Sequence, residues 1–268
     1  MGAMPEWVPE TVDTTKPSAA RMYDYYLGGA HNFGVDREVA NKMLALFPDG
    51  PLIAQTNRAF LHRAVRFMLD EGVRQFLDIG SGIPTEGNVH EIAQQAAPEA
   101  RILYVDSDPV AVAHSELLLR GNRLAGVLQA DLRRPHEVLD APVLREVLDL
   151  TRPVGVLMCA VLHFVAPEDK PEALIGSLRE LLPPGSFLAV SHGTGLGRTA
   201  KLAEAQELYK TAAPITYRDH DDIRALFDGW DLVDPGVVWL PEWRPNWPDE
   251  VGDDPASSLM AGAVGRRP

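Results

Sequence analysis

The sequence predicts an α/β fold in which helices cover both faces of a mostly parallel sheet. From Phe76 onward, short apolar segments alternate with amphipathic ones, a pattern typical of parallel strands joined by crossover helices. The first apolar segment ends in a glycine-rich turn, residues 80–87, which is typical of sheets that bind nucleosides. The last two apolar segments have no convincing helix between them, which favours an antiparallel final strand. Together these features predict a Rossmann-like sheet of seven strands, six parallel and the last reversed.

Seven apolar segments supply the predicted strands. They are residues 76–79, 102–105, 127–129, 154–159, 187–191, 233–240 and 259–264. Segment 154–159 is apolar throughout, as expected for a strand buried between two layers of helices. Helices are predicted at residues 88–97, 109–119, 142–150, 170–182, 198–213 and 221–227. Pro109 suits the first turn of its helix, where a backbone N–H is not needed.

The first 70 residues have a different pattern. We expect residues 1–16 to be a flexible arm, and residues 17–70 to form a helical cap that belongs to the same domain as the sheet. The cap would contain helices at 19–27, 37–46 and 56–70, the last of them strongly amphipathic. Residues 71–268 would form the core, with a helical insertion at about 196–228.

Composition narrows the classes of function. The net charge is −13, with 38 acidic against 25 basic residues, which is unfavourable for holding nucleic acid. The single cysteine, Cys159, excludes an internal disulfide and a cysteine-based zinc cluster, and its apolar neighbours predict a buried thiol. No apolar run approaches the roughly 20 residues that span a bilayer, and the N-terminus lacks a signal-peptide core. We therefore expect a cytoplasmic protein with no membrane or nucleic-acid partner and no metal.

The glycine turn and the strand ends around it indicate which cofactor is bound. Asp106 ends the second strand, where a carboxylate can accept hydrogen bonds from ribose hydroxyls. A fingerprint for NAD needs a third small residue, and Pro84 stands near that position. Asp78 precedes the turn and would repel a pyrophosphate but attract an ammonium or sulfonium group. These features favour S-adenosylmethionine, whose adenine amino group could be bound by Asp131.

Three segments resemble the successive cofactor motifs of class I S-adenosylmethionine-dependent methyltransferases: residues 76–82, 104–109 and 129–132. More specifically, the chain is similar to an actinobacterial "S-adenosyl methyltransferase" family, formerly a domain of unknown function. The segments that carry this resemblance are 18–29, 57–61, 80–90, 162–164 and 183–192. The resemblance runs from about residue 17 to the C-terminus and implies a methyltransferase sheet and a bound cofactor, with no defined substrate. Pro84, in place of the third glycine of the wider superfamily, fits the family's own pattern.

The candidate cofactor residues follow three strands. We expect the cofactor to be bound by Asp78, Gly80, Ser81, Gly82, Asp106, Ser107, Asp131, Leu132 and Ala160. Ser107 and Leu132 would add backbone and rim contacts, and Ala160 with Val161 would line the floor below the methyl group. Asp131 has an alternative interpretation as a helix cap, because an Asp after a strand often plays that role.

The candidate catalytic residues are His163 and Tyr23. His163 follows the fourth strand at the carboxyl edge of the sheet and could serve as a general base, or it could cap the following loop. His192 occupies a similar place after the fifth strand. The polar and aromatic segment 21–32 could close over the cofactor, with Tyr23 or Tyr25 near the methyl group, or it could be a structural cap.

Two further contacts are predicted with alternatives. Arg21 would bind the methionine carboxylate, although Arg58 in the amphipathic helix could do so instead. Trp239, Trp243 and Trp247, together with Arg244, would form an aromatic wall for the substrate or simply anchor a long loop.

The predicted function is transfer of a methyl group to a small-molecule acceptor by in-line displacement. Two alternatives remain at this point. One is an NAD-dependent oxidoreductase, which Asp78 and Pro84 disfavour. The other is a catalytically silent protein that binds S-adenosylmethionine.

Overall fold

A computed structural model of the chain describes residues 12–85, 87–195, 199–210 and 212–268. The strands are β1 (Gln75–Ile79), β2 (Arg101–Asp106), β3 (Ala125–Gln129), β4 (Gly155–Cys159), β5 (Phe187–Gly193), β6 (Asp231–Leu232), β7 (Val238–Trp239) and β8 (Met260–Arg266). They form one sheet in the order β3-β2-β1-β4-β5-β8-β6, with β7 also paired to β8. Strands β1 to β5 are parallel, and β8 runs antiparallel to β5, β6 and β7. The predicted α/β fold with a reversed last strand is confirmed.

The strand count differs from the prediction, because the described residues form eight strands rather than seven. The segment expected to be the sixth strand, residues 233–240, contains β7, whereas β6 lies just before it, and the two pair with opposite ends of β8. Pro235 and Gly236 separate the two pieces. Proline has no backbone N–H to donate to a sheet, so pairing cannot continue through it.

The helices are α1 (Ala19–Tyr26), α2 (Gly34–Leu46), α3 (Gly50–Asp70), α4 (Val89–Ala96), α5 (Pro109–Leu118), α6 (Pro135–Leu139), α7 (Pro142–Val147), α8 (Pro171–Leu181), α9 (Thr199–Tyr209) and α10 (His220–Ala225). Helix α3 begins at Gly50 rather than at residue 56, with Pro51 in its first turn, where proline is favoured. The short helix α6 was not predicted. No helix in the described parts of the chain is long and apolar enough to cross a membrane.

The core lies on both faces of the sheet. Along β1, Leu77 and Ile79 contact one apolar cluster, and Phe76 contacts the other. Phe60, on α3, is fully buried in the cluster of Phe76. Helix α3 therefore packs directly against the sheet as well as belonging to the predicted cap, and it fixes the position of the side chains near its start.

Most of the predicted flexible arm, residues 1–16, lies outside the described residues. Its described end does not match the prediction, because Val12 is buried in a small cluster with Ile83, Val110 and Ala111. The arm therefore packs beside the glycine turn at this point.

Candidate active site

A cavity of about 520 Å³ lies at the carboxyl ends of the parallel strands, beneath residues from α1, α2 and α3. This volume is in the usual range of small-molecule sites, about 300–1,000 Å³. Every predicted cofactor residue except Arg21 lines it, as do the two main catalytic candidates. These residues are Tyr23, Arg58, Asp78, Gly80, Ser81, Gly82, Asp106, Ser107, Asp131, Leu132, Ala160 and His163.

The cavity has two chemically different parts. The acidic half is lined by Asp78, Asp106, Asp108 and Asp131 with Arg58 and Arg133. The apolar half is lined by Met43, Phe47, Phe164, Leu202, Tyr209 and Tyr217. The loop after β4 also lines this cavity, through Ala160, Val161, His163, Phe164 and Val165.

The glycine turn uses its two glycines for different reasons. Both have positive φ, +74° at Gly80 and +69° at Gly82, a region that side chains rarely adopt. A Cβ on Gly80 would clash with Val161, whereas no atom lies within 4 Å of the Cβ position at Gly82. Gly80 therefore allows close packing, and Gly82 leaves its backbone open to a ligand.

The hydroxyl of Ser81 is a further sign of a ligand at this turn. Its Oγ is buried and has no hydrogen-bond partner within the described parts of the chain. A buried hydroxyl without a partner costs free energy. Ser81 lines the acidic half, so a polar ligand there could supply the missing partner.

The segment after the turn does not have the arrangement of a dinucleotide site. Helix α4 begins at Val89, well beyond Gly82, and the carboxylate of Glu91 accepts a hydrogen bond from the N–H of Asn88 at 2.8 Å. In dinucleotide-binding proteins the helix starts directly at the turn, and its free N–H groups bind the pyrophosphate. Here an acidic side chain already occupies the helix start.

Asp78 is a buried carboxylate at the edge of the acidic half. Its pKa is raised to about 7, mainly by burial, with the guanidinium of Arg58 opposing the shift and nearby Asp106 adding to it. A bound cation would favour the ionised form and reverse this shift. The side chain is therefore suited to hold a positively charged group.

Asp106 is held by the turn that it faces. Its Oδ2 accepts the N–H of Gly82 at 2.7 Å, and its Oδ1 accepts the N–H of Asp108 at 2.8 Å. Burial nevertheless raises its pKa to about 6. Each carboxylate oxygen has a second lone pair, so both can still accept a hydroxyl of a ligand.

Asp131 is paired with a neighbour rather than capping a helix. The guanidinium of Arg133 binds it, with 2.6 Å between Nη2 and Oδ2, and this contact lowers the pKa of Asp131. The N-cap position of α6 is occupied by Arg134, so the alternative interpretation of Asp131 as a cap of that helix is wrong. Leu132 lies beside it on the cavity wall.

Two arginines have different positions. Arg58 donates to the backbone oxygen of Gly87 at 2.8 Å and is close enough to Asp78 to affect its pKa. Arg21 is buried and pairs with Asp36, with 3.0 Å between Nε and Oδ2, and it does not line the cavity. The prediction that Arg21 binds a ligand carboxylate is therefore not supported, because its charge is neutralised inside the cap.

A chain of hydrogen bonds links the cap to the cavity floor. The N–H of Ala160, which has φ +55°, donates to Ser191 Oγ at 2.8 Å, and Ser191 donates to Asn57 Oδ1 at 2.5 Å. The amide nitrogen of Asn57 donates to the hydroxyl of Tyr23 at 2.9 Å, and Tyr23 donates to the oxygen of Ala54 at 3.0 Å. Tyr23 lines the cavity, but its proton is already used, and burial raises its pKa to about 12.

His163 and His192 lie close together, with ring centroids 5.6 Å apart. His192 is fully buried, with Nδ1 donating to the oxygen of Gly193 at 2.8 Å and Nε2 accepting from Arg218 at 2.7 Å. Only His163 lines the cavity, and its Nδ1 accepts the N–H of Gly193 at 3.4 Å. Burial, with His192 and Arg218, holds the pKa of His163 well below its usual value, so the ring is neutral.

The prediction that the tryptophans form an aromatic wall for the substrate is wrong. Trp243 is fully buried against Phe60, at 5.3 Å between ring centroids, and Trp247 is 68% exposed. Trp239 contacts His220, and none of the three tryptophans lines the cavity. The alternative, that the tryptophans anchor the loop, fits Trp243 best.

Sequence reasoning missed the apolar half. Met43 and Phe47 lie on or just after α2, and Leu202 and Tyr209 lie on α9, far away in the chain. The helical pattern predicted both helices, but no local signal indicates that they meet over the sheet. Tyr217 lies in a segment without regular structure, which has no periodicity to read.

The fold and the site define a class of protein. A sheet with one reversed strand inserted beside β5, an open glycine turn and acidic strand ends belong to an S-adenosylmethionine-dependent methyltransferase. A family model described as S-adenosyl methyltransferase matches residues 5–268, and the chain belongs to that family. The predicted resemblance is confirmed.

Solved structures agree with this assignment. The chain is 39% identical to a DUF574 family protein from Streptomyces avermitilis, with a TM-score of 0.90 over 96% of this chain and 99% of that one. It is 35% identical to a candidate methyltransferase from Thermobifida fusca, with a TM-score of 0.91 over 98% of this chain and 99% of that one. The N-methyltransferase NodS from Bradyrhizobium japonicum, solved with S-adenosyl-L-homocysteine, shares the fold at 15% identity, with a TM-score of 0.50 over 92% and 99% of the two chains. No curated protein matches the chain.

Proposed function

We propose that the acidic half of the cavity holds S-adenosylmethionine and that the chain transfers its methyl group to a small molecule in the apolar half. The observation that carries this proposal is the pair of buried carboxylates, Asp78 and Asp106, beside the open backbone of Gly82. A ligand with an ammonium, a sulfonium and a ribose satisfies both carboxylates. NAD has a ribose for Asp106 as well, but its pyrophosphate would be repelled by Asp78.

The roles in the acidic half follow from charge and position. Asp78 would bind the ammonium group, and Arg58 the carboxylate of the methionine part. Asp106 would accept the ribose hydroxyls. All three side chains line the cavity, and Arg58 and Asp106 are both close enough to Asp78 to affect its pKa.

The remaining contacts would be made by the glycine turn and by Asp131. Gly80, Ser81 and Gly82 would let the methionine part approach the turn, and the Ser81 hydroxyl would gain a partner there. Asp131 would face the adenine amino group while remaining paired with Arg133.

Three further residues would complete the binding surface for the cofactor. Ser107 and Leu132 would line its rim, and Ala160 its floor, as their place on the cavity wall allows.

The residues around the reacting atoms favour positioning over acid–base chemistry. Bound S-adenosylmethionine supplies a methyl group that its sulfonium has already activated. The neutral His163 accepts a backbone N–H at Nδ1, which leaves its proton on Nε2, so it is arranged to donate rather than to act as a base. The hydroxyl of Tyr23 already donates a hydrogen bond to the backbone oxygen of Ala54. This arrangement favours an acceptor that attacks without first losing a proton to the protein.

The test of this function is calorimetric titration with S-adenosylhomocysteine and, separately, with NAD. We expect S-adenosylhomocysteine alone to bind. Binding of NAD alone would overturn the proposal. Incubation with methyl-tritiated cofactor and a pooled small-molecule extract then tests transfer, because a silent binding protein would leave all label on the cofactor. The cytoplasmic location and the absence of nucleic acid among the substrates stay predictions.

A further inference from the structure

The distribution of charge in the cavity is uneven in a way that bears on the acceptor. All the acidic and basic side chains on its wall belong to the acidic half, within the described residues. Among the same described residues, the apolar half has no charged side chain, although it belongs to the same cavity. A charged acceptor would lose its hydration there and gain no partner of opposite charge, which is unfavourable.

The wall of the apolar half is rich in rings. Phe164 and Tyr209 are nearly parallel, with centroids 6.0 Å apart and 30° between their planes. Phe164 also contacts the ring of His163, at 4.2 Å between centroids. Tyr217 lies close to Gly193, where a Cβ would be 3.6 Å from its ring. Flat rings pack favourably against such surfaces, face to face or edge to face.

The polar groups on this wall are few and uncharged. The hydroxyls of Tyr26 and Tyr209 lie 3.4 Å apart, and either can be the donor. Burial raises the pKa of Tyr26 to about 12, so it keeps its proton at neutral pH. His163 is neutral for the reasons given above. Such groups can orient a ligand through one or two hydrogen bonds but cannot neutralise an ionic group.

We propose that the apolar half binds an uncharged aromatic molecule and that this molecule is the methyl acceptor. The proposal rests on the proposed function, because the acidic half must hold the cofactor for the methyl group to face this wall. The acceptor atom forms its bond to the methyl carbon as the carbon–sulfur bond breaks, and the electron pair of that bond stays on sulfur. Any proton that the product must lose then passes to water.

The test compares four probes on protein saturated with S-adenosylhomocysteine. They are 2-naphthol, its carboxylated analogue 6-hydroxy-2-naphthoate, the cation 2-naphthylmethylammonium and the non-aromatic decalin-2-ol. We expect 2-naphthol to bind at least about tenfold more tightly than either charged probe, because a buried charge would lack a partner. We also expect it to bind more tightly than decalin-2-ol. Equal binding of the charged probes, or no binding of 2-naphthol, would overturn the proposal.

A matched pair of variants tests whether 2-naphthol binds in the apolar half of the cavity. Ala213 lines the cavity, and Ala213→Trp should fill the apolar half. We expect this variant to lose 2-naphthol binding while it binds S-adenosylhomocysteine within about twofold of the wild type, since it leaves the acidic half intact. The control is Ala225→Trp, at an exposed position on α10, which should keep both. Retained 2-naphthol binding in Ala213→Trp would contradict the assignment.

The two proposals fail in different ways. If S-adenosylhomocysteine does not bind, the proposed function is wrong. If it binds while 2-naphthol does not, only the assignment of the acceptor is wrong.

Discussion

Asp78 is buried beside Asp106, and its pKa is raised to about 7. The ionised form of this carboxylate is therefore disfavoured in the empty site, and a bound cation would stabilise it. The end of β1 and the end of β2 place these two groups together, because neighbouring parallel strands end at the same edge. Their positions were predictable from the sequence, since each follows an apolar segment at the carboxyl edge. The ion pair between Arg21 and Asp36 was not predictable from the sequence. The two residues lie on different helices of the cap, and no sequence pattern indicates that they meet.

Replacing Asp78 should separate stability from binding. The pKa of Asp78 rises from 3.8 in the unfolded chain to about 7 in the folded one, so the folded state loses stability as pH rises through this range. Asp78→Asn should therefore increase the free energy of unfolding above neutral pH by about 1–3 kcal/mol, and by little near pH 4. It should also weaken S-adenosylhomocysteine binding. Thermal denaturation and calorimetry measure the two effects.

The control for this variant is Asp70→Asn, at an exposed position at the end of α3. It should change neither the free energy of unfolding nor the affinity for S-adenosylhomocysteine. Destabilisation by Asp78→Asn at high pH would contradict the assigned pKa.

The same carboxylate predicts how cofactor binding depends on pH. The free site must lose a proton from Asp78 before it can hold an ammonium group, so affinity should fall as pH drops below about 7. The decrease should reach up to about tenfold per pH unit. Titration of S-adenosylhomocysteine at several pH values measures it. A constant affinity in the wild type, or the same slope in Asp78→Asn, would show that Asp78 is not the group responsible.

At the scale of elements, α1, α3 and β5 are connected at the cavity floor by Asn57. Its side chain accepts from Ser191 and donates to Tyr23, and the resulting chain ends at the positive-φ backbone of Ala160. The sequence predicts the three elements but not this connection. Apolar periodicity gives the face of a helix, whereas the partner of one buried amide depends on tertiary packing.

Asn57→Ala should remove the acceptor of the Ser191 hydroxyl and the amide donor to the Tyr23 hydroxyl, both of them buried. We expect a loss of about 1–3 kcal/mol in the free energy of unfolding. The matched control is Gln55→Ala, two residues earlier in α3 and exposed, which should stay within about 0.5 kcal/mol of the wild type. Chemical denaturation followed by circular dichroism measures both. Equal stability of the two variants would mean that the connection contributes nothing.

The strands themselves show where sequence patterns stop being informative. The bounds of fully apolar strands such as β4 were predicted to within about one residue, because a short apolar run of this kind is typical of a buried parallel strand. The separate strands β6 and β7 were missed, because Val233 and residues 237–240 look like one interrupted strand, whereas the residues that pair with β8 are 231–232 and 238–239. The short α6 was missed for the related reason that five residues carry little periodicity.

At the scale of the whole molecule, the N-terminal segment covers the cavity. The hydroxyl of Ser18 donates to Asp108, beside the ribose-binding position proposed for Asp106, and the N–H of Ser18 donates to Asp36 at 2.9 Å. Pro17, Ser18 and Ala20 also line the cavity. The sequence indicated that the adjoining segment 21–32 could close over the cofactor, but the contact of Ser18 with Asp108 joins residues far apart in the chain and could not be predicted from it.

Binding of the cofactor should therefore protect α1 from hydrogen exchange. We expect S-adenosylhomocysteine to slow amide exchange in residues 17–29 as well as in the glycine turn, because both border the acidic half. Ser18→Ala should reduce the protection of α1 more than that of the turn. The control is Ser177→Ala on α8, whose hydroxyl donates to the oxygen of Ala173 in the same helix. Protection confined to the turn would show that the cap does not respond to the ligand.

A crystal structure with S-adenosylhomocysteine tests the central assignment most directly. We predict the amino group at Asp78, the carboxylate at Arg58 and the ribose hydroxyls at Asp106, with the sulfur directed toward the apolar half. A ligand whose ribose lies away from Asp106, or whose sulfur faces away from the apolar half, would contradict the account.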